Sequence, residues 1–214
     1  MFKVGFLFNL NFKKDDLKMK KTILLAGIAG LLSFNANAQD SDIQNQTKSW
    51  NIHPVIGLDF SNLIGDLESE AYENHLMNLG FSAGLQFNRY FGIEAFYQHT
   101  LVKGEKDYYG LKTENELNYY GIDFAGYIPL NKNFDFISTV GMGKYEVNVD
   151  YSYGGYTLSD SDDGMGIRFG LGLQHKPDNN DKVSTRFMVR YNDIDIDGIN
   201  YVVDLSLGLR YHFQ

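Results

Sequence analysis

The end of the chain alternates between two kinds of side chain. Every second residue from Tyr201 to Phe213 is apolar or aromatic, whereas five of the six residues between them are polar, charged or glycine. A period of two is the period of a β-strand, in which successive side chains point to opposite faces. The second face carries Asp204, Gly208 and Arg210. Such a face suits the polar lumen of a membrane barrel, with lipid on the other side.

Seven earlier segments repeat this alternation, and each is long enough for a tilted strand to cross a bilayer. They span residues 50–60, 76–87, 91–102, 117–128, 133–151, 164–175 and 183–194, with 200–214 as the eighth. Long charged connections (61–75, 103–116 and 152–163) alternate with short turns (88–90, 129–132 and 176–182), as in outer-membrane barrels. The sequence therefore predicts an all-β fold, an eight-stranded antiparallel up-and-down transmembrane β-barrel over residues 50–214. We expect the last strand to pair with the first and close the barrel.

The last connection is an exception to the alternation of long and short. Odd-numbered residues face outward on both flanking strands, so the loop must hold an odd number of residues. We therefore predict a three-residue loop, Ile196-Asp197-Gly198, with Gly198 in a left-handed conformation beside a bulge.

Aromatic side chains collect near both ends of the predicted strands, as in the girdles of membrane barrels. Those near the periplasmic boundary are Trp50, Tyr90, Phe91, Phe134, Tyr211 and Phe213, and those nearer the external boundary are Tyr120, Tyr145 and Tyr191. Further tyrosines fall in the long connections, where such residues often anchor a partner: Tyr108, Tyr109, Tyr151, Tyr153 and Tyr156.

The first 38 residues have the features of a secretory signal peptide. A basic start, Met19-Lys20-Lys21, precedes an apolar stretch, and the small residues Ala36 and Ala38 stand where a signal peptidase reads the chain. We predict cleavage after Ala38 and a flexible polar tail over residues 39–49. Residues 1–18 add nothing that a signal peptide needs, so we expect translation to start at Met19. A membrane anchor helix is the alternative, but the apolar stretch is short for one.

Composition excludes several classes of function. The chain has no cysteine, so it has neither a disulfide framework nor a thiolate metal site. Its formal net charge of −8 at pH 7 argues against a nucleic-acid partner. A bundle of membrane helices is excluded because no run of 18 apolar residues is present.

Eight charged residues are predicted to point into the lumen. They are four acids and four arginines: Asp59, Glu94, Asp123 and Asp204, with Arg168, Arg186, Arg190 and Arg210. Because an unpaired charge would be costly in so narrow a barrel, we expect a salt-bridge network with a structural role. When residues are counted along the strands from the periplasmic turns, four of the eight fall in a layer near the periplasm, which we call the lower layer: Glu94, Asp123, Arg186 and Arg210. The other four are predicted to lie about one layer farther from the periplasm, in the upper layer.

The signals for metal binding and catalysis are weak. Asp193, Asp195, Asp197 and Gly198 match the first half of a calcium loop, with Asp204 at its closing position. The flanking segments are strands rather than helices, so an acidic hairpin tip is the favoured interpretation and no metal site is predicted. The five histidines do not converge on a serine and an acid. We therefore predict no catalytic residue and no cofactor.

The closing residues resemble the C-terminal signal that the outer-membrane barrel assembly machinery reads, which is a polar residue, a glycine two positions on and two aromatics one residue apart. These are Ser206, Gly208, Tyr211 and Phe213, with Gln214 one residue beyond the usual terminal aromatic. Residues 50–213 resemble the small eight-stranded barrels of the OmpX, OmpA and opacity-protein type, often described as porin-family outer-membrane β-barrel proteins. The resemblance implies residence in the outer membrane of a Gram-negative bacterium, among lipid and lipopolysaccharide.

The favoured function is not enzymatic. Such a barrel acts through its external loops on a host or surface ligand, or through membrane integrity. A narrow small-solute channel is the main alternative, and a lipid-A-modifying enzyme is a further one. A soluble lipocalin-like barrel would need an apolar interior and a polar exterior, which is the opposite of the predicted facing.

Overall fold

The computed structural model describes residues 52–67, 75–178 and 182–213. These residues lie within one compact unit, Trp50–Gln214. The predicted signal peptide, its cleavage residues Ala36 and Ala38, the polar tail and Trp50 lie outside the described residues. Within the described ranges, no helix has the length and hydropathy needed to cross a membrane.

The described residues form nine antiparallel strands in a single sheet. The strands are β1 (Ile52–Leu67), β2 (His75–Phe87), β3 (Phe91–Val102), β4 (Gly104–Tyr108), β5 (Leu111–Pro129), β6 (Phe134–Tyr153), β7 (Tyr156–His175), β8 (Val183–Ile194) and β9 (Ile199–His212). β4 continues β3 after a break at Lys103, and both lie beside β5. The nine strands therefore occupy eight positions around the ring, and the predicted eight-stranded barrel is confirmed.

The barrel closes between β1 and β9, as the sequence predicts. Their ladder runs from the pair Val55–His212 to the pair Leu67–Ile199. The other strands pair in chain order, with β3 against β5. The short turns and both ends of the barrel segment lie at one end, which barrels of this kind place in the periplasm. We call this the periplasmic end, and the opposite one the external end.

Side chains alternate between the two surfaces of the barrel wall as predicted. From Val203 onward, the odd residues of β9 face outward and the even residues face inward, so that Leu207 is 63% exposed and Asp204 is fully buried. The alternation also holds on β6, where Ile137 points inward and Ser138 outward. Apolar side chains cover the outer surface and polar ones fill much of the interior, which is the arrangement of a membrane barrel.

Two connections predicted as loops are β-structure. Residues 103–116 form β4 and the start of β5 around a Tyr109–Gly110 turn, and residues 152–163 extend β6 and β7 to a Gly154–Gly155 turn. The three turn glycines have φ angles between 58° and 88°, a region that suits glycine. The loop predictions are wrong because few apolar residues are needed beyond the bilayer: residues 156–163 are exposed on both faces, and the buried face of β5 there carries the polar residues Thr113 and Asn115. The apolar alternation that marks a strand is therefore lost there.

These hairpins form a sheet that projects beyond the barrel, which we call the outer sheet. It consists of β4, residues 111–116 of β5, 146–153 of β6 and 156–163 of β7. Among the described strands, β7 pairs with β8 only from Gly166 onward, so the outer part of β7 is an edge. β1 also continues as a strand to Leu67, inside the predicted loop 61–75.

The β8–β9 hairpin has a two-residue turn rather than the predicted three-residue loop. Asp197 and Gly198 form the turn between the bridged pair Ile196 and Ile199. Gly198 has a φ of 83°, as predicted. The register of this bridge differs by one residue from that of the ladder, which ends at the pair Asn192–Val202. An irregularity before the turn, and not a longer turn, therefore accommodates the odd number of residues.

Candidate functional site in the barrel lumen

The four acids and four arginines named above are all buried inside the barrel. Nearest the periplasmic end, Arg186 donates from Nη1 to both carboxylate oxygens of Glu94, at 2.8 and 3.0 Å. Arg210 donates to both oxygens of Asp59, at 3.0 and 2.8 Å, and its Nε lies 3.5 Å from Glu94. Tyr127 donates its hydroxyl to Glu94 at 3.2 Å. The Arg210–Asp59 pair is bidentate, with two parallel hydrogen bonds, which is the strong form of a charged hydrogen bond.

Two further ion pairs lie closer to the external end. Nε of Arg168 is 3.3 Å from Oδ1 of Asp123. Nη1 of Arg190 is 3.4 Å from Oδ2 of Asp204 and donates to the hydroxyl of Ser206 at 2.6 Å. The eight charges therefore balance within the lumen, which limits the desolvation penalty that burying them carries.

Two of the four pairs, Glu94–Arg186 and Asp204–Arg190, lie within one predicted layer, and the other two join residues of different layers. Asp59, predicted for the upper layer, pairs with Arg210 of the lower one, and Asp123, predicted for the lower layer, pairs with Arg168 of the upper one. Counting residues from the turns ignores the stagger between strands. In the β3–β5 ladder Glu94 lies directly opposite Asp123, yet their arginines come from β8 and β7.

Glycines on β1 and β9 allow the Asp59–Arg210 pair to lie flat against the wall. A Cβ atom at Gly208 would collide with Oδ1 of Asp59, and one at Gly57 would collide with the Arg210 guanidinium. Both positions face the lumen beside the pair. We infer that these glycines are required for close approach of the ion pair, because no larger residue leaves room for it.

A layer of aromatic rings, which the sequence analysis did not identify, covers the charges on their external side. The Arg168 guanidinium lies 3.9 Å from the centroid of the Phe96 ring, within the range of a cation–π contact. Tyr119 stacks on Tyr145 at 5.0 Å and donates its hydroxyl to Asp204 at 3.1 Å. We call Phe96, Tyr119 and Tyr145 the aromatic layer.

Tyr145 corrects a prediction, since it was assigned to the external girdle and is instead fully buried in the lumen. Its hydroxyl donates to Asn192 at 3.0 Å. The alternation of β6 already indicates this position, because the outward residues Phe134, Phe136 and Met142 are even-numbered. The other described residues of the predicted girdles are exposed on the outer surface.

Beyond the aromatic layer, the lumen becomes apolar. The buried side chains there form one cluster with the three rings, consisting of Leu63, Leu76, Leu117, Ile194, Ile196 and Val202, with Val147 and Ile199 packed against it. The polar-lumen expectation therefore holds for the periplasmic half of the interior, whereas the external half combines this apolar cluster with the buried polar residues Asn78, Thr100 and Asn192.

The four residues that resemble an assembly signal lie on both faces of β9 and just beyond it. Ser206 and Gly208 face the lumen, next to Arg190 and Asp59 respectively. Tyr211 and Phe213 are exposed on the outer surface, with their rings in edge contact at 4.9 Å. The two lumen residues thus also serve the charge network.

Metal-binding geometry is not found in the described parts of the chain. There, no group of three histidine, cysteine or acidic side chains is placed to hold a metal ion. His212 and Ser184 form a hydrogen bond of 2.9 Å, but both are buried in the lumen near the periplasmic end. His99 contacts Asn118, and His175 packs on Phe134. His99, His175 and His212 therefore lie in separate places.

Solved structures with a similar fold are small outer-membrane proteins. Ail, the attachment invasion locus protein of Yersinia pestis, superposes with a TM-score of 0.52 at 18% identity, covering 77% of this chain and 99% of that one. OprG of Pseudomonas aeruginosa superposes with a TM-score of 0.53 at 15% identity, covering 77% of this chain and 97% of that one. Neisserial surface protein A superposes with a TM-score of 0.51 at 17% identity, covering 76% of this chain and 97% of that one. At such identities the likeness shows the fold alone.

Comparison of the sequence with protein families agrees with the fold. No curated protein sequence matches the chain. The model of the family described as "Outer membrane protein beta-barrel domain" matches residues 26–213, which is most of the chain. The match, the closed ring of eight antiparallel positions and the apolar outer surface agree with one another. The chain therefore belongs to the outer-membrane β-barrel family, as its resemblance to small eight-stranded barrels predicts.

Proposed function

We propose that this outer-membrane barrel is not an enzyme and not a channel, and that it acts through the structure it presents outside the cell. The filled lumen is the observation that carries the proposal. Four ion pairs and the aromatic layer lie across the interior, and the large side chains Arg168, Arg210 and Tyr119 are at most 1% exposed. An eight-stranded barrel encloses little more space than side chains need, and at the level of the ion pairs and the aromatic layer they occupy it.

Conductance measurements test the filled lumen directly. We expect no discrete current steps after the mature protein is inserted into planar bilayers. Each sample should first show heat-modifiable migration on a gel, so that an absence of current steps cannot be due to unfolded protein. Reproducible steps would overturn the proposal and favour the narrow small-solute channel. Unchanged lipid A in a strain lacking the protein is expected, and an altered lipid A profile would favour an enzyme instead.

The outer sheet is the surface that we propose for interaction. Between Lys144 and Asp163 the sequence has five acidic residues and one lysine. Aromatic and apolar side chains stand out from its turns, with Tyr109 90% and Tyr156 84% exposed. Ail has been crystallised with the heparin analogue sucrose octasulfate, which is a polyanion. The acidic outer sheet favours the opposite choice, a basic host or surface ligand.

A variant with fewer acidic side chains tests whether that partner is positively charged. Glu105→Gln, Glu114→Gln and Asp150→Asn remove three charges from the outer sheet without touching the lumen. Cells producing the wild-type protein should adhere to polylysine-coated surfaces better than cells producing the triple variant, at equal surface expression. Equal adhesion, or stronger binding of the wild type to a heparin-coated surface, would contradict the proposal.

The proposed function also requires that the chain is exported and inserted into the outer membrane. We propose that the chain reaches the outer membrane after cleavage behind Ala38, and that Ser206, Gly208, Tyr211 and Phe213 are read by the barrel assembly machinery. The mature protein should then begin at Gln39 in N-terminal sequencing. Tyr211→Ser with Phe213→Ser should lower the amount of folded protein in the membrane, because the assembly machinery would no longer recognise the signal. Both rings are exposed on the outer surface, so a loss would report recognition and not the packing of the lumen. Normal assembly of this variant would exclude the signal.

A further inference from the structure

The external half of the lumen contains a cavity that the sealed barrel does not require. Its volume is about 250 Å³. Its walls come from β1, β2, β5, β6, β7 and the β8–β9 hairpin, so it lies on the barrel axis and not on the membrane surface. The wall side chains are mainly apolar, namely Leu63, Leu76, Leu117, Val147, Val149, Ile196, Ile199 and Val202. We call it the outer cavity.

The outer cavity is a blind cup with its mouth at the external end. Its apolar wall belongs to the same cluster as Tyr119 and Tyr145, and the charge network lies below those rings. A solute that enters therefore stops at the aromatic layer. The hairpin tip forms part of the wall and approaches β7 closely, since a Cβ atom at Gly164 would collide with Asp195 and Ile196. The tip is held there by a bond of 2.9 Å from the Asp195 amide to the Met165 carbonyl.

The mouth of the outer cavity is acidic. Asp160, Asp162 and Asp197 line it, and among the described lining residues there is no lysine or arginine. Glu116 also borders the cavity, but its side chain lies on the opposite face of β5 from Asn115 and Leu117, 3.4 Å from Nζ of Lys103. The other three carboxylates leave a negative potential above an apolar chamber, an arrangement that attracts a cation with an apolar body.

We propose that the outer cavity binds a small cationic amphiphile, a molecule with a compact apolar body and one protonated amine. Volume sets the size of that body, since an apolar cavity of about 150 Å³ holds a benzene ring and drug-sized ligands need about 300 Å³ or more. The body should then contain roughly ten carbon atoms. It would pack against the leucine and valine walls, and the amine would face the aspartates at the mouth.

A matched pair of ligands tests the chemistry. The probes are 1-aminoadamantane, a cationic cage, and 1-adamantanecarboxylate, its anionic counterpart. Titration calorimetry uses the mature protein in lipid nanodiscs, with empty nanodiscs subtracted to remove partitioning into lipid. We expect saturable binding of the amine at one site and binding of the carboxylate that is at least tenfold weaker. No saturable binding of the amine overturns the proposal, and equal binding of the two probes overturns its charge requirement.

Neighbouring residues on β9 supply a matched test of location. Val202→Trp should fill the outer cavity and weaken binding at least tenfold, because Val202 faces the lumen. Val203→Trp places the same ring one residue away on the opposite face and should bind like the wild type. Both variants should keep heat-modifiable migration. Undiminished binding by a folded Val202→Trp protein would place the ligand elsewhere.

Two aspartates on β7 separate the charge of the mouth from the charge of the surface. Asp162→Asn, at the mouth, should reduce the preference for the amine over the carboxylate. Asp163→Asn should leave it unchanged, because Asp163 pairs with Lys144 and does not line the cavity. The opposite result would overturn the assignment of the mouth. Current through the wild-type barrel would refute the sealed lumen but not this site, so the two proposals fail separately.

Discussion

The two halves of the lumen are built from the same strands but are held together differently. In the periplasmic half, buried acids and arginines pair, as Glu94 does with Arg186 at 2.8 Å. In the external half, Leu63, Leu117 and Val202 pack as in the core of a soluble protein. A side chain that points into the lumen of this barrel can therefore be either charged or apolar, depending on its height along the barrel axis. Pairing stabilises one half and apolar burial the other, with the aromatic layer between them.

The largest expected effect comes from removing the shared carboxylate of the charge network. Glu94→Gln leaves Arg186 and Arg210 with less countercharge in a buried site, so the free energy of unfolding should fall by about 3–5 kcal/mol. Urea unfolding in lipid vesicles measures it. Glu146→Gln is the control, since Glu146 is exposed, and should change stability by less than about 0.5 kcal/mol. Equal effects of the two substitutions would show that the buried charge network does not stabilise the periplasmic half.

Truncating the apolar half should have a smaller effect of a different kind. Leu117→Ala should lower the free energy of unfolding by roughly 2–3 kcal/mol, because it enlarges a space that already borders the outer cavity. The loss should be insensitive to salt, unlike a loss of charge pairing. Leu207→Ala, on the lipid-facing surface, should be milder because lipid tails fill the gap. A larger loss at Leu207 would contradict the view of the external half as a packed core.

The boundary between the halves can be tested by removing one oxygen atom. Tyr119→Phe keeps the stack on Tyr145 but deletes the hydroxyl that donates to Asp204. A hydrogen bond to a charged group contributes about 1.5 kcal/mol or more, so a loss of about that size is expected in the same unfolding assay. Tyr120→Phe, on the adjacent outward position, should be neutral. A neutral Tyr119→Phe would mean that the rings alone form the boundary.

The smallest effect is expected from an ion pair outside the barrel. Lys132 and Asn133 both contact the carboxylate of Asp178, at 2.8 and 3.0 Å, and these hydrogen bonds lower the pKa of Asp178. A lowered pKa stabilises the fold above the ordinary aspartate pKa, and that contribution disappears as the pH falls through the lowered value. NMR titration of the Asp178 carboxyl should show its pKa rising in Lys132→Gln, with no measurable change in the urea midpoint. A large loss of stability would show that exposed and buried pairs do not differ here.

Local periodicity was sufficient to predict the wall of the barrel. Strand positions, the facing of side chains and the β1–β9 seam all follow from a period of two, which each segment carries in itself. The outer sheet could not be predicted in this way, since Thr157, Ser159 and Asp160 are exposed whichever face they occupy. There the extended structure follows from long-range pairing with β6 and glycine turns.

The interior was harder to predict because its contacts depend on stagger between strands. The eight charged residues could be chosen from the alternation, but their partners could not, and Asp59 and Asp123 lie with arginines of the other predicted layer. Tyr145 had the right parity for the lumen, but its aromatic character suggested a girdle. The outer cavity has no local signal, since it exists only where side chains from six parts of the barrel leave a gap.

The seam between β1 and β9 joins the first strand of the barrel to the last. Val55 pairs with His212, so the first strand of the barrel must wait for the last one before the ring can close. Contacts so distant in sequence form slowly, because a long loop must be ordered before they are made. Until β9 arrives, β1 has an unpaired edge that another chain could occupy. A chain that stops before Ile199 would therefore remain an open sheet, because β1 would have no partner on that side.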